Sequence, residues 1–216
     1  MKKQSNILIQ CDFDGTITIE DASFTILDAY IPEKWHPLFN EYQQGQMTVG
    51  EFNSTVFAMI NADKEILLKT VREKVSVRAG FKKFLEYCRL KDYRFVIVSN
   101  GLDFYIKDIL GNIGFMDVEV HASETIFGDN GLIVRHRGPS GQYLDKDVKA
   151  AFTDHFITQG YHVIYLGDGR SDVLPASKSH HIFATGSLIE YCNTENLTCT
   201  AFIDFNQVVN VMDSWQ

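Results

Sequence analysis

Three short stretches are apolar without interruption, and each ends abruptly at a polar cluster. They are Ile7-Leu8-Ile9 before Cys11-Asp12-Phe13-Asp14-Gly15-Thr16, Phe95-Val96-Ile97-Val98 before Ser99-Asn100-Gly101, and Val163-Ile164-Tyr165-Leu166 before Gly167-Asp168-Gly169. A strand with one wet face alternates apolar and polar residues, whereas a continuous run of this length fits a strand buried on both faces of a parallel sheet. Ile182-Phe183-Ala184 is a fourth candidate. Helical patterns lie between the runs: Phe81, Phe84, Leu85 and Cys88 mark one, Phe104 to Leu110 another, Val148 to Phe156 a third. Alternation of strand and helix predicts an α/β fold with a doubly wound parallel sheet and right-handed crossovers. Ligands of such sheets bind beyond the carboxyl ends of the strands, where all three polar clusters would gather.

The segment from 18 to 78 interrupts this alternation. Phe24, Leu27 and Ile31 suggest one amphipathic helix, Phe52, Val56, Met59 and Ile60 a second, and Ile66, Leu67, Thr70 and Val71 a third, with Pro32, Pro37 and Gly45 separating the first from the second. The segment reads as a helical cap, 18–78, inserted into a core domain of 1–17 and 79–216. Ile126 to Val134, broken by Gly128-Asp129-Asn130-Gly131, reads as a hairpin.

The 216 residues suffice for such a core without disulfides. Net charge is −8 and no Lys/Arg cluster stands out, which argues against nucleic acid or an anionic membrane as partner. The start of the chain lacks the apolar length of a signal peptide. The cysteines Cys11, Cys88, Cys192 and Cys199 are scattered with no CxxC and read as free thiols in a reducing compartment, hence a cytoplasmic protein. Adjacent His180 and His181 would point to opposite faces of a strand, which favours a structural role over metal binding.

Asp12 and Asp14, two positions apart past a strand, repel one another unless a cation or a proton joins them. Their oxygen donors suit Mg2+, with Asp168 completing the site and Asp172 supporting it. A carboxylate can attack phosphorus, and a neighbouring one can protonate the leaving oxygen and later activate water. That gives Asp12 as nucleophile and Asp14 as acid and base. The hydroxyl of Ser99 and the backbone at Asn100 and Gly101 can donate to a phosphate. A lysine must offset the carboxylate charge, and Lys146 and Lys149 both qualify. Each piece has a plainer reading: an acidic turn, a helix N-cap at Ser99, a solvated lysine.

Taken in order, the DxD near the N-terminus, the serine after a second strand, the lysine in a helix and the GDxxxD resemble the haloacid-dehalogenase-like superfamily. The resemblance implies a Rossmann-like core, Mg2+ and an aspartyl-phosphate route. Asp14 aligns the chain with the phosphatase and mutase branch and against carbon–halogen cleavage. A cap between the first two motifs resembles the phosphoserine-phosphatase-like subgroup. Within it, Cys11 to Thr18, Gly167 to Asp172, and Phe183-Ala184 through Leu188, Cys192 and Asn196-Leu197 resemble the 2-hydroxy-3-keto-5-methylthiopentenyl-1-phosphate phosphatases of methionine salvage. That group's spacing, 19 residues before the GD aspartate, selects Lys149, with Lys146 as runner-up, and the subgroup implies a substrate contact at Asp21. Two departures stand out. Gly138 to Lys146 lacks the cysteines of the methionine-salvage enzymes, and Phe52 to Ile60 lacks the arginine with which phosphoserine phosphatases hold a carboxylate, leaving Arg72 and Arg78 as possible substitutes. Trp35, Phe39 and Tyr42 could line an apolar pocket for a substrate tail. The expectation is a phosphatase acting on a small phosphorylated metabolite. The alternatives are a phosphoserine phosphatase, a phosphotransferase on the same scaffold, and an inactive binding protein.

Overall fold

The computed structural model describes residues 6–215. Residues 1–5, where part of the signal-peptide reading falls, and residue 216 lie outside it. Strand β1 (Ile7–Cys11) is central, flanked in parallel by β2 (Arg94–Leu102) and β5 (His162–Gly167). Outside these lie β3 (Glu119–Gly128) and its antiparallel partner β4 (Gly131–Arg135) on one side, and β6 (His181–Ala184) and β7 (Thr200–Ala201) on the other. The sheet order is β4-β3-β2-β1-β5-β6-β7, parallel except at β4. The expected Rossmann-like doubly wound sheet is therefore present, and β3–β4 is the expected hairpin.

Leu8 and Ile9 of β1 are fully buried on opposite faces. Leu8 packs with Val96, Val98 and Val163 under α7 (Val148–Thr158), against Phe152 and Phe156. Ile9 faces the larger core with Phe84, Phe183 and Phe205. Burying each such aliphatic side chain contributes about 1.5–3 kcal/mol, which is why the runs are continuous rather than alternating. Gln10 shares the Leu8 face and is also fully buried, so its amide must find partners. It donates to the carbonyl of Lys149 (2.9 Å) and accepts from Thr153 Oγ1 (2.8 Å), pinning α7 to the central strand.

Helices α1 (Ala22–Tyr30), α2 (Pro32–Gln43), α3 (Val49–Phe57) and α4 (Lys64–Lys74) lie between Thr18 and Val77, which are joined by an antiparallel bridge. The segment with Pro32, Pro37 and Gly45 does separate α1 from α3, but it holds a further helix, α2, that the sequence reading did not foresee. Pro32 is the first residue of α2, where a missing N–H costs nothing, and Pro37 sits inside it. The apolar stack of Phe24, Trp35 and Phe39 holds the helix despite Pro37. The buried face of α4 is Leu67, Leu68 and Val71, with Ile66 exposed, and Met59 lies exposed beyond the end of α3. No helix among the described residues is long and apolar enough to cross a membrane. All four cysteines are free. His180 Nδ1 accepts from Val163 N–H and His181 Nε2 lies 3.0 Å from Thr200 Oγ1, both structural contacts.

Candidate active site

Beyond the carboxyl ends of β1, β2 and β5, a cavity of about 220 Å³ is lined by Asp12, Asp14, Asp21, Ser99, Asn100, Gly101, Lys149 and Asp168. Every one of these had been singled out in the sequence. Asp172 lies just behind them, fully buried. Lys146 is exposed and lines a neighbouring cavity, not this one.

Lys149, on the first turn of α7, is buried between two carboxylates, 2.7 Å from Asp12 Oδ2 and 2.6 Å from Asp172 Oδ1. Burial alone would lower its pKa, but the charges of Asp12 and Asp172 prevail and hold it well above the ordinary lysine value. Asp172 is saturated. Its Oδ1 also accepts from Tyr165 OH (2.6 Å), and its Oδ2 from the backbone N–H groups of Asp168 (3.0 Å) and Gly169 (2.9 Å). Its carboxylate thus fixes the turn that carries Asp168 and the ammonium that faces Asp12.

Asp12 and Asp168 carry the strain of the cluster. Burial, with Asp172 nearby, pushes Asp12 up to about 6 in spite of Lys149. Burial, then the charges of Asp172 and Asp12, push Asp168 up to about 8. Carboxylate oxygens of Asp12, Asp168 and Asp172 lie within 4.8 Å of one another. An all-oxygen donor set with excess negative charge is what a hard divalent cation relieves. Gly15, at φ +73°, brings its backbone against the Asp168 carboxylate so closely that a Cβ there would collide with it. Arg78 clamps the same loop, donating to the carbonyls of Gly15 (2.5 Å) and Thr16 (2.7 Å) and to that of Ile203 (3.0 Å).

Asp14 turns away from this cluster. Its Oδ1 accepts from the backbone N–H of Ala22 (2.9 Å) and its Oδ2 from Tyr105 OH (2.5 Å). Burial, then the neighbouring charge of Asp21, raises its pKa well above the usual carboxylate value. Both oxygens of its side chain are thus hydrogen-bonded within the protein, and burial favours the neutral form. Asp21 is the N-cap of α1, accepting from Phe24 N–H (2.8 Å), and also lines the cavity; burial pushes it up to about 7.

Ser99 does not end a strand before a helix. It lies inside β2, which runs on to Leu102, and its Oγ accepts from Gly101 N–H (3.0 Å). The Asn100 carbonyl accepts from Ser123 Oγ (2.7 Å) and from Asn53 Nδ2 of α3 (2.9 Å). Ser123 lies 3.0 Å from Nδ1 of His136, whose imidazole burial pushes down to about 4 and so keeps neutral. Phe24, Phe39, Tyr42 and Phe52 form an aromatic wall on the α1–α3 side, while Trp35 packs behind them.

Sequence reading missed Tyr105, Asn53 and Arg170, and offered Arg78 only as a possible substrate contact, not as the clamp on backbone carbonyls that it is. Arg170 was visible inside GDGRSD, and its guanidinium lies 6.0 Å from the Tyr42 ring centroid at the cavity wall. Arg72 and Arg78 are engaged elsewhere: Arg72 pairs with Asp108 (2.5 Å), and Arg78 is spent on backbone carbonyls.

Comparison with known proteins agrees with this architecture. The chain is 28% identical over 210 residues to the bifunctional enzyme MtnB/MtnX of Bacillus licheniformis, covering 95% of this chain but only 49% of that longer protein. It is 22% identical to the 2-hydroxy-3-keto-5-methylthiopentenyl-1-phosphate phosphatase of Brevibacillus brevis, covering 97% and 96% of the two chains. It is 25% identical to the enzyme of that name from Bacillus cereus, covering 95% of each. Among solved structures, a phosphoserine phosphatase captured as a phospho-aspartyl intermediate analogue superimposes with a TM-score of 0.73 at 17% identity, over 97% of this chain and 99% of that one. A substrate-bound phosphoserine phosphatase gives 0.72 at 17% identity over 98% and 99%. The sequence pattern of haloacid dehalogenase-like hydrolases matches residues 9–176, from the first buried strand to the helix after the last acidic turn, so the chain belongs to that family.

Proposed function

We propose that this hydrolase is a Mg2+-dependent phosphatase of small phosphomonoesters, working through an aspartyl-phosphate on Asp12. The observation that carries the reading is the pairing of two carboxylates with opposite surroundings. Asp12 is held by an ammonium 2.7 Å away, which favours its charge, and Asp14 lies buried among hydrogen-bond donors with its pKa raised. One is placed to attack and the other to give a proton. Asp12 attacks phosphorus as the bond to the leaving oxygen breaks, and Asp14 delivers its proton to that oxygen. Asp14, now ionised, takes a proton from the water that attacks the aspartyl-phosphate, releasing phosphate and restoring both carboxylates. Lys149, Ser99 and the backbone at Asn100 and Gly101 face the phosphoryl oxygens. Asp12, Asp168 and the Asp14 carbonyl would hold the cation, which supplies charge compensation for the phosphoryl group. Asp172 serves by fixing Lys149 and the Asp168 turn.

The helices over 18–78 act as the cap and close the cavity through Asp21, Asn53 and the aromatic wall. That wall suits an apolar tail, as in the substrate named for the methionine-salvage relatives. A small phosphorylated metabolite is the partner this pocket fits, and the chemistry suits a cytoplasmic setting with free thiols. The test is phosphate release from a panel of enol, sugar, amino-alcohol and alkyl phosphates, with Mg2+ or with EDTA. Release that requires Mg2+ supports the reading, and release undiminished by exhaustive chelation overturns it.

A further inference from the structure

Asp14 is gripped from two directions. From the inserted helices, the N–H of Ala22 at the start of α1 donates to Oδ1. From the core, the hydroxyl of Tyr105 donates to Oδ2 at 2.5 Å. Tyr105 lies on α6 (Asp103–Asn112), the helix that follows β2, and is fully buried. Its ring packs edge-on to Phe104 and beside Phe13, between the two aspartates in sequence. The same hydroxyl lies 2.8 Å from Ser23 Oγ, again on α1. Gly101 passes so near the pair that a Cβ there would strike both Asp14 Oδ2 and Tyr105 OH. A phenol is otherwise an awkward group to bury, because its O–H must find a partner. Here it has two, one on the acid and one on the cap.

We propose that Tyr105 is a positioning residue for the proton-transfer step, setting the Asp14 carboxyl at the leaving oxygen and, through Ser23, making that setting depend on the seating of α1. The proposal rests on Asp14 being the acid and base. Both partners of Asp14 donate, Ala22 through its amide and Tyr105 through its hydroxyl, and Ser23 Oγ can donate in turn to the tyrosine oxygen. Each carboxyl oxygen has a second lone pair, so a proton held toward the leaving oxygen leaves both contacts in place, and the carboxyl need not rotate between the two halves of the reaction. With Phe at 105, Oδ2 loses its partner and the carboxyl is free to turn about its side-chain torsion, and the Ser23 hydroxyl is orphaned at the same stroke.

The leaving group separates this role from a packing role. Expulsion of nitrophenolate needs no proton, whereas expulsion of an alkoxide does. The experiment compares kcat/KM, which reports the first chemical step, on p-nitrophenyl phosphate and on a primary alkyl phosphate, using the full chain with Mg2+. Tyr105→Phe is expected to lower kcat/KM on the alkyl phosphate by about ten- to a hundredfold, a share of what general acid catalysis supplies, and on nitrophenyl phosphate by far less. Ser23→Ala is expected to show the same selectivity at smaller amplitude. Equal losses on both substrates, or no loss on the alkyl phosphate, overturn the proposal. Asp14→Asn run alongside keeps the two ideas apart. If Asp14→Asn is selective while Tyr105→Phe is not, only the role of Tyr105 falls. If Asp14→Asn retains full alkyl phosphatase activity, the acid assignment falls and the proposal with it.

Discussion

Lys149→Met removes the one ammonium that sits between Asp12 and Asp172 while keeping the length and most of the apolar stem. Both carboxylates are 1–7% exposed, so water cannot replace the lost charge. Breaking a buried ion pair by deleting one partner costs about 3–5 kcal/mol, because the charge left behind is uncompensated. For a chain of this size each kcal/mol moves Tm by about 2–4 °C, giving a fall of about 6–20 °C at mildly alkaline pH. The pH dependence has a definite sign. The folded lysine pKa is raised, so its charge and its stabilising contribution persist at every pH below the ordinary lysine range and are lost only above it. The window on the acid side is set by Asp12, which titrates at about 6 in the intact site and higher once Lys149 is gone. Protonation relieves the mutant, so the fall in Tm shrinks as pH drops below that value. Thermal denaturation of both proteins at about pH 5 and pH 8 measures this. A fall of under about 2 °C at the higher pH, or a larger fall at the lower, refutes the reasoning.

Without a cation the native protein should lose stability as pH rises through the raised pKa values of Asp12 (about 6) and Asp168 (about 8), because the fold then binds more protons than the unfolded chain. The Tm gained on adding Mg2+ should accordingly be larger at high than at low pH, and an equal gain throughout would contradict the cluster's role. Arg78→Leu should cost about 1.5–3 kcal/mol and lower kcat, since four carbonyls, those of Gly15, Thr16, Thr18 and Ile203, lose a charged donor and the loop carrying Gly15 and Thr16 is released; unchanged denaturant midpoint and rate would contradict this. O-phosphoserine should be a poorer substrate than an enol or alkyl phosphate with an apolar tail, because Phe24, Phe39, Tyr42 and Phe52 give the cavity an aromatic wall. Side-by-side kcat/KM values decide it, and a preference for phosphoserine of about tenfold, or 1.4 kcal/mol of transition-state binding, would show the cap is misread.

The sheet was legible because its strands are buried on both faces, which leaves unbroken apolar runs such as Val163 to Leu166. The acidic cluster was legible because carboxylates are rarely placed together past a strand without a task, and Asp12, Asp14 and Asp168 stand at strand ends. The helices over 18–78 were harder. Pro32 and Pro37 read as breaks, but a proline at a helix start is compatible with helix, and local pattern cannot show that Trp35 will be stacked on Phe24. Tyr105 and Asn53 were not legible as site residues, nor Gln10 as the residue that pins α7, and Arg78 was read only as a possible substrate contact. Each is an ordinary core or surface residue by local pattern, and acquires its role from partners 47 to 139 positions away. A contact of that range is a property of the fold, so only the folded chain displays it.

The most direct test of the account is to catch the phosphoryl group on the protein. Enzyme mixed with a turned-over phosphomonoester and Mg2+ is quenched in acid on the timescale of one turnover, reduced with borohydride to fix any acyl phosphate, and mapped by peptide mass spectrometry. The account predicts modification at Asp12 and nowhere else, absent from the Asp12→Asn protein and from samples lacking Mg2+. Turnover with no modification at Asp12, or a folded Asp12→Asn protein that releases phosphate at the wild-type rate, would contradict it.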